Sequence, residues 1–140
     1  MCNERDSGRV RFLGVSNISL RHLEQMLAVN AEAPTYVQNR CFARLKWDRD
    51  VRLFCQERGI VYQGFSLLTA NAEVLHDPWL SELAARMNAT PAQVVFNFAR
   101  TIGMLPFTGT SDAEHMRQDL ASRDLTLAPE AVRTIELLAG

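Results

Sequence analysis

Polar side chains follow four short apolar segments of the chain, at the point where each segment ends. They are Ser16 and Asn17, Gln38 and Asn39, Ser66 after Phe65, and the run Thr108, Gly109 and Thr110. Adjacent amide side chains could bind a neutral amide group through paired donors and acceptors. An aromatic ring could stack on a planar heterocycle, and a Thr-Gly-Thr turn entering a helix can receive a phosphate on free backbone N–H groups. Their joint occurrence at segment ends favours a binding site.

Each of these residues also has an ordinary structural explanation. Asn17 could serve only to cap the following helix, and Gln38 and Asn39 could be turn residues. Phe65 could belong to the core. Taken by itself, the Thr-Gly-Thr turn does not specify a phosphate.

The elements that must position these residues are predicted from the apolar pattern. Strands are predicted at residues 10–15, from residue 36, at 60–65 and at 104–107. Helices are predicted between and after them, from caps and from apolar residues spaced three and four apart. The predicted caps and starts are Ser19, Asp48, Pro78, Thr90 with Pro91, Ser111 or Asp112, and Pro129.

Alternation of strands and helices over short connections indicates a parallel sheet with right-handed crossovers. The pattern is compatible with an open doubly wound sheet and with a (β/α) barrel. A Gly-x-Gly-x-x-Gly fingerprint is absent from the sequence, which weakens the dinucleotide-binding open sheet. We expect residues 1–140 to form a single domain, with residues 1–9 as a polar N-terminal segment.

The composition is that of an ordinary globular chain, with 47% hydrophobic and 22% charged residues. A net charge of -1 gives no reason to expect nucleic acid or a membrane surface as partner. The three cysteines form no C-x-x-C pair, so we expect reduced thiols, no metal and a cytoplasmic location. No apolar h-region marks a secretory signal near the N-terminus.

Several motifs occur in a fixed order along the chain. They are GVSN at 14–17, VQNR at 37–40, FCQERGIVYQ at 54–63, and PFTGTS with EHMRQDL between 106 and 120. Together they resemble the C-terminal half of aldo-keto reductases. The resemblance implies an α/β fold of the (β/α)8 TIM-barrel type, present as strands five to eight. It also implies NAD(P)H-dependent reduction of a small aldehyde or ketone.

The resemblance assigns roles to the first strand ends. Ser16 and Asn17 match the pair that holds the nicotinamide carboxamide. A glutamine of the family falls on Asn39 when the spacing to the next strand is kept, and Gln38 is the alternative for the same contact. Phe65 matches a tyrosine that stacks on the nicotinamide ring, and stacking survives loss of the hydroxyl.

The remaining cofactor positions lie after the last two strands. Ser66 and Leu68 match the pyrophosphate loop of the family. Thr108, Gly109 and Thr110 match its phosphate turn. His115 matches an arginine that binds the 2′-phosphate, and Gln118 and Asp119 match a pair that binds the adenine. Phe107 stands where many members carry a lysine. NADP(H) is therefore the cofactor expected by resemblance, and NAD is the alternative.

The family's catalytic residues are an aspartate, a tyrosine, a lysine and a histidine from the first four barrel strands. None of them can be assigned here by motif. The residues of these types lie elsewhere: Tyr36 and Tyr62 within later strands, Lys46 in a loop, and His22, His76 and His115 in helix or loop positions. We expect a truncated part of an oxidoreductase that is inactive alone.

Half a barrel leaves two unpaired sheet edges and an uncovered inner face. We therefore expect the chain to self-associate or to need a complementary half. The alternative function is a non-catalytic half-barrel that binds a partner chain or a nucleotide.

Overall fold

The computed structural model describes residues 2–29 and 32–139. The strands in this part of the chain are β1 (Gly14–Ser16), β2 (Tyr36–Arg40), β3 (Val61–Phe65) and β4 (Leu105–Phe107). The helices are α1 (Cys2–Asp6), α2 (Leu20–Val29), α3 (Arg49–Glu57), α4 (Ala72–Leu75), α5 (Pro78–Arg86), α6 (Pro91–Thr101), α7 (Ala113–Ala121) and α8 (Pro129–Leu137). Short 3-10 segments cover Ala43–Asp48 and Ser122–Asp124.

The described strands form one parallel sheet in the order β1-β2-β3-β4. This confirms the predicted alternating α/β architecture. The first strand is shorter than predicted, because β2 begins at Tyr36 and pairs with β1 only from Gly14 onward. Before that point the sheet contact is limited to N–H groups of Thr35 and Tyr36, which donate to the Leu13 carbonyl.

The two faces of the sheet have different environments, as the two-residue period of a strand requires. Val37, Asn39, Tyr62 and Gly64 face the helices and are buried. The other face, called the open face below, is only partly covered or exposed. It carries Gly14, Ser16, Tyr36, Gln38, Val61, Gln63, Phe65, Leu105 and Phe107.

The core lies between the helices and the covered face of the sheet. Trp47 and Phe98 are fully buried and meet edge to face, with ring centroids 5.1 Å apart. Helix α6 supplies much of this layer, as its broad apolar face predicted. It begins with a capping box in which Thr90 Oγ1 accepts from the Gln93 N–H and Gln93 Oε1 accepts from the Thr90 N–H.

Helix α3 begins where predicted, but the expected capping contact is not made. Asp48 occupies the N-cap position and its side chain makes no capping bond. Lys46, Trp47 and Asp48 instead form a left-handed turn with φ of 53–55°. Each such residue costs roughly 1–2 kcal/mol, so other contacts must hold the turn.

Buried contacts on both sides of Trp47 hold this turn. The Trp47 Nε1–H donates to the Ile135 carbonyl at 3.2 Å, and the Trp47 carbonyl accepts from Arg52 Nε at 2.7 Å. Arg52 is buried and also donates to the Ile102 carbonyl and to Glu136 Oε1, both at 2.9 Å. One guanidinium thus joins the turn, the end of α6 and helix α8.

The buried thiols give the first prediction. Burial raises the pKa of Cys41 to about 12 and that of Cys55 to about 11, and the Asp48 carboxylate acts in the same direction. Since the thiolate is the reactive form, we expect neither to react with iodoacetamide at pH 8 in the folded chain. Both should react in guanidinium chloride. Mass spectrometry of the peptides measures this, and fast labelling of either residue under native conditions would contradict the buried placement.

Candidate functional site

The ends of β3 and β4 enclose a pocket of about 300 Å³. Its lining residues are Phe65, Ser66, Leu67, Leu68, Thr69, Phe96, Phe107, Thr108 and Gly109. Five of the thirteen residues predicted from sequence to bind a cofactor are therefore brought together here. They lie at the carboxyl edge of the parallel sheet, where barrels of this kind collect their chemistry.

Ser16 and Asn17 lie at the same edge, at the end of β1. Asn17 has φ of 54°, a left-handed conformation that asparagine tolerates better than most residues. Its N–H donates to the Gln38 carbonyl at 2.9 Å, and its Nδ2 donates to Ser16 Oγ at 3.1 Å. Helix α2 has its cap contact from Ser19, whose Oγ lies 3.4 Å from the His22 N–H. Asn17 is thus left exposed at the strand end.

The two amides of β2 point to opposite faces. Gln38 lies on the open face and donates from Nε2 to Gln63 Oε1 at 3.0 Å. Asn39 is 7% exposed and lies on the helix side. Its Oδ1 accepts from the Ile18 N–H at 2.9 Å, and its Nδ2 donates to the Ile18 carbonyl and to Asp48 Oδ2, both at 2.8 Å. Of these two side chains, Gln38 is the one that faces the open side.

The loop after β3 contributes Ser66 and Leu68 to the pocket. Ser66 follows the last residue of β3 and has a left-handed φ of 58°. The loop is held by Asn71, which is 1% exposed. Asn71 Nδ2 donates to the carbonyls of Cys41 at 3.0 Å and Leu67 at 2.8 Å, and Asn71 Oδ1 accepts from the Ala43 N–H.

The turn after β4 enters α7 at its N-terminus. Asp112 caps this helix, and its Oδ1 accepts from the N–H groups of His115 and Glu114. These two bonds lower the pKa of the Asp112 carboxyl. Thr110 Oγ1 accepts from the Asp112 N–H at 3.1 Å. Thr108 to Thr110 thus lead directly into a capped helix, as the sequence predicted.

The predicted adenine-side residues lie on α7. His115 is exposed, and Gln118 Nε2 donates to Glu114 Oε1 at 3.2 Å. Asp119 Oδ2 accepts from Thr108 Oγ1 at 3.2 Å, which joins α7 to the pocket. His115 and Gln118 make no contribution to the lining of the 300 Å³ pocket.

The tyrosines lie away from the pocket. Tyr62 is 2% exposed, and its OH donates to Asp48 Oδ2 at 2.7 Å. Burial raises the pKa of Tyr62, and the nearby Cys41 and Asp48 act in the same direction. Tyr36 meets Phe12 edge to face at 6.0 Å. Lys46 is exposed in the left-handed turn.

Several buried polar groups that shape the site were missed by the sequence reasoning. Each of Asn71, Tyr62 and Arg52 makes a hydrogen bond to a residue that lies 14 to 84 positions away in the sequence, and no local motif signals such pairs.

Among the described residues no group of three or more His, Cys, Asp or Glu is placed to hold a metal ion. In the same part of the chain no helix is long and apolar enough to cross a membrane.

Comparison with known proteins gives relatives along nearly the whole chain. An uncharacterised oxidoreductase of Schizosaccharomyces pombe is 30% identical over 93% of this chain and 46% of its own length. An aldo-keto reductase of Mycobacterium avium is 27% identical over 97% of this chain and 47% of its own length. No family model matches. The chain spans about half the length of the curated relatives it matches.

Solved structures share the fold. A variant of Gox0644 in complex with NADPH superposes with a TM-score of 0.88 at 24% identity, over 98% of this chain and 50% of that one. Solved aldo-keto reductases match the same parallel sheet over about half of their length. The expected TIM-barrel fold, present as half a barrel, is thereby confirmed.

The loop clamp at Asn71 gives the second prediction. Asn71→Ala leaves the Ala43 N–H and the Cys41 and Leu67 carbonyls without their buried partner. We expect the free energy of unfolding to fall by about 2–4 kcal/mol, measured by urea denaturation. Gln25→Ala, on the exposed side of α2, is the control and should change it by less than about 0.5 kcal/mol. Equal effects of the two variants would show that the Asn71 bonds are unimportant.

Proposed function

We propose that this chain, which is similar in sequence and fold to half of an aldo-keto reductase barrel, is the cofactor-binding half of an NAD(P)H-dependent oxidoreductase. Its substrates would be small aldehydes or ketones. The observation that carries the proposal is the convergence of Phe65, Ser66, Leu68, Thr108 and Gly109 around one pocket at the carboxyl edge of the sheet. This is the second half of the barrel according to the motifs at the strand ends.

The residues present fit a dinucleotide in two respects. The carboxamide of a nicotinamide needs both donors and acceptors, and Ser16, Asn17 and Gln38 supply both at neighbouring strand ends. Phosphates need hydrogen-bond donors. Residues of the predicted pyrophosphate loop, Ser66 and Leu68, line one pocket together with Thr108 and Gly109 of the predicted phosphate turn, which leads into α7. Phe65 lies between these two groups of residues and offers a ring for stacking.

A bound nicotinamide would supply the hydride for carbonyl reduction. The protein's part in this half is to hold and orient that cofactor. Its choice between NADP and NAD depends on the 2′-phosphate. Phe107 offers no charge there, and the exposed His115 offers an imidazole in place of a guanidinium. We propose NADP(H) as the cofactor, with NAD as the alternative.

We further propose that the chain is inactive alone. Reduction requires a proton donor beside the carbonyl oxygen. Tyr62 is unsuited to this role, because it is buried, donates to Asp48, and has a raised pKa. Tyr36 and Lys46 lie on different elements, β2 and the left-handed turn.

The cytoplasmic location expected from the free thiols Cys41 and Cys55 stays a prediction.

The third prediction tests cofactor binding by the purified chain. We expect NADPH to bind in isothermal titration and no turnover of an aromatic aldehyde. Phe65→Ala should weaken binding by about three- to tenfold, the loss expected for one stacked ring, whereas Phe65→Tyr should retain it.

Phe12→Ala is the matched control, because Phe12 is an exposed ring outside the pocket. It should leave NADPH affinity unchanged. Absence of NADPH binding by the unmodified chain would refute the cofactor proposal. Steady turnover without any second protein would refute the proposed inactivity.

A second proposal concerns the open face. Val61, Leu105 and Phe107 are each 39–57% exposed, and the outer edges of β1 and β4 have no strand partner among the described residues. Exposed apolar surface next to free edges favours association. We propose that this face is covered by a second copy in the isolated chain, and by a complementary half where one exists.

The fourth prediction is that sedimentation shows association of the isolated chain at micromolar concentration. Val61→Lys, on the open face, should shift the chain toward monomer. Leu137→Lys is the control, because Leu137 is 61% exposed on α8, away from the sheet. A monomeric unmodified chain that unfolds cooperatively would contradict the proposal.

A further inference from the structure

We infer that Asn39 is a positioning residue that holds the Ser16–Asn17 turn in place from the helix side of the sheet, with Asp48 stabilising the orientation of its amide. The inference rests on the proposed cofactor site, because the turn is the group offered to the nicotinamide. It assigns to Asn39 an indirect role, in which its amide binds the protein backbone and not the cofactor.

The pairing of β1 with β2 ends just where the turn begins. The last paired residues are Ser16 and Gln38, and one more bond joins the Asn17 N–H to the Gln38 carbonyl. Asn17 then enters the left-handed region, with φ of 54°. Both side chains of the turn are exposed, so they do not anchor it by their own burial.

Asn39 continues the strand pairing with its side chain. Its carboxamide carries one acceptor and one pair of donors, like a peptide group with an extra N–H. The acceptor takes the Ile18 N–H and one donor goes to the Ile18 carbonyl. Both backbone groups of Ile18 are thereby held, one residue beyond Asn17. The turn is fixed between the Gln38 carbonyl before it and the Asn39 side chain after it.

Asp48 and the Ile18 backbone favour the same orientation of the Asn39 amide. An ionised carboxylate can only accept hydrogen bonds, so the nitrogen of Asn39 must face Asp48 Oδ2, where it lies at 2.8 Å. The Tyr62 OH donates to the same oxygen at 2.7 Å. With nitrogen on the Asp48 side, Oδ1 is left to receive the Ile18 N–H. A reversed amide would place two acceptors against each other.

The carboxylate itself is held by the left-handed turn at Lys46, Trp47 and Asp48. Trp47 is fully buried and bonded to the Ile135 carbonyl, so the turn is anchored in helix α8. The position of the Ser16–Asn17 turn is therefore linked through Asn39, Asp48 and Trp47 to the far layer of the protein.

The fifth prediction separates the two halves of the cofactor. Reduced nicotinamide mononucleotide and ADP are titrated separately into the purified chain. Asn39→Ala should weaken binding of the nicotinamide mononucleotide by about tenfold, as expected for loss of one to two hydrogen bonds. Binding of ADP should change by less than about twofold. Hydrogen exchange of the Ile18 amide should become faster.

A donor–acceptor exchange provides the rescue. Asn39→Asp alone sets two carboxylates against each other and should weaken nicotinamide binding at least as much as Asn39→Ala. Adding Asp48→Asn restores a donor opposite an acceptor at that contact. The Ile18 carbonyl still lacks its donor, so only part of the affinity should return. Asn97→Ala is the matched control, because Asn97 is also a buried amide, 6% exposed, that donates to the carbonyls of Ser122 and Leu125. It should leave binding of the nicotinamide mononucleotide unchanged.

Unchanged nicotinamide binding and unchanged Ile18 exchange in a folded Asn39→Ala variant would overturn the inference and leave the proposed function standing. An equal loss of both ligands would assign Asn39 a merely structural role and would overturn it as well. Failure of the unmodified chain to bind either ligand would overturn the proposed function, and the inference with it.

Discussion

The geometry of the site depends on the hydrogen bonds that the Asp48 carboxylate accepts, because they join the strand ends to the helix layer. One oxygen accepts from Asn39 and from Tyr62, which belong to neighbouring strands. Asp48 has a left-handed backbone conformation, and its side chain makes no capping bond to α3. The conformational cost is met by the burial of Trp47 and by the bonds of Arg52. A charge in this place is tolerable because both donors are directed at it.

Features decided by local chemistry could be predicted from the sequence. The box of Thr90 and Gln93 spans three residues and needs no tertiary partner, and Gly59 and Gly103 end helices in the left-handed region that favours glycine. The same local logic assigned Asp48 to a helix cap. The position was correct, but the expected capping bond was wrong, because the carboxylate accepts from the distant residue Asn39 instead.

In the candidate site, too, the locally determined features could be predicted and the tertiary contacts could not. Strand ends could be located by where apolar runs stop, and this brought Phe65, Ser66 and Thr108 to one pocket. Asn71 could not be found, since its three partners come from two different loops. The open face is also a non-local property. Whether Leu105 or Phe107 is core or surface depends on what lies opposite the sheet, and sheet register alone does not determine that.

The alternation along β2 has a consequence for how sequences of this kind are aligned. Gln38 and Asn39 are adjacent amides of similar chemistry, yet one faces the open side and the other the helices. When the spacing to the next strand is kept, the family's glutamine falls on Asn39, although Gln38 carries the matching side chain. The choice between the two positions therefore decides whether a substitution is apparent. The pairing of a residue with its neighbour on the next strand, here Ser16 opposite Gln38, shows which face of the sheet it occupies. This face is a safer guide to structural equivalence than the residue type.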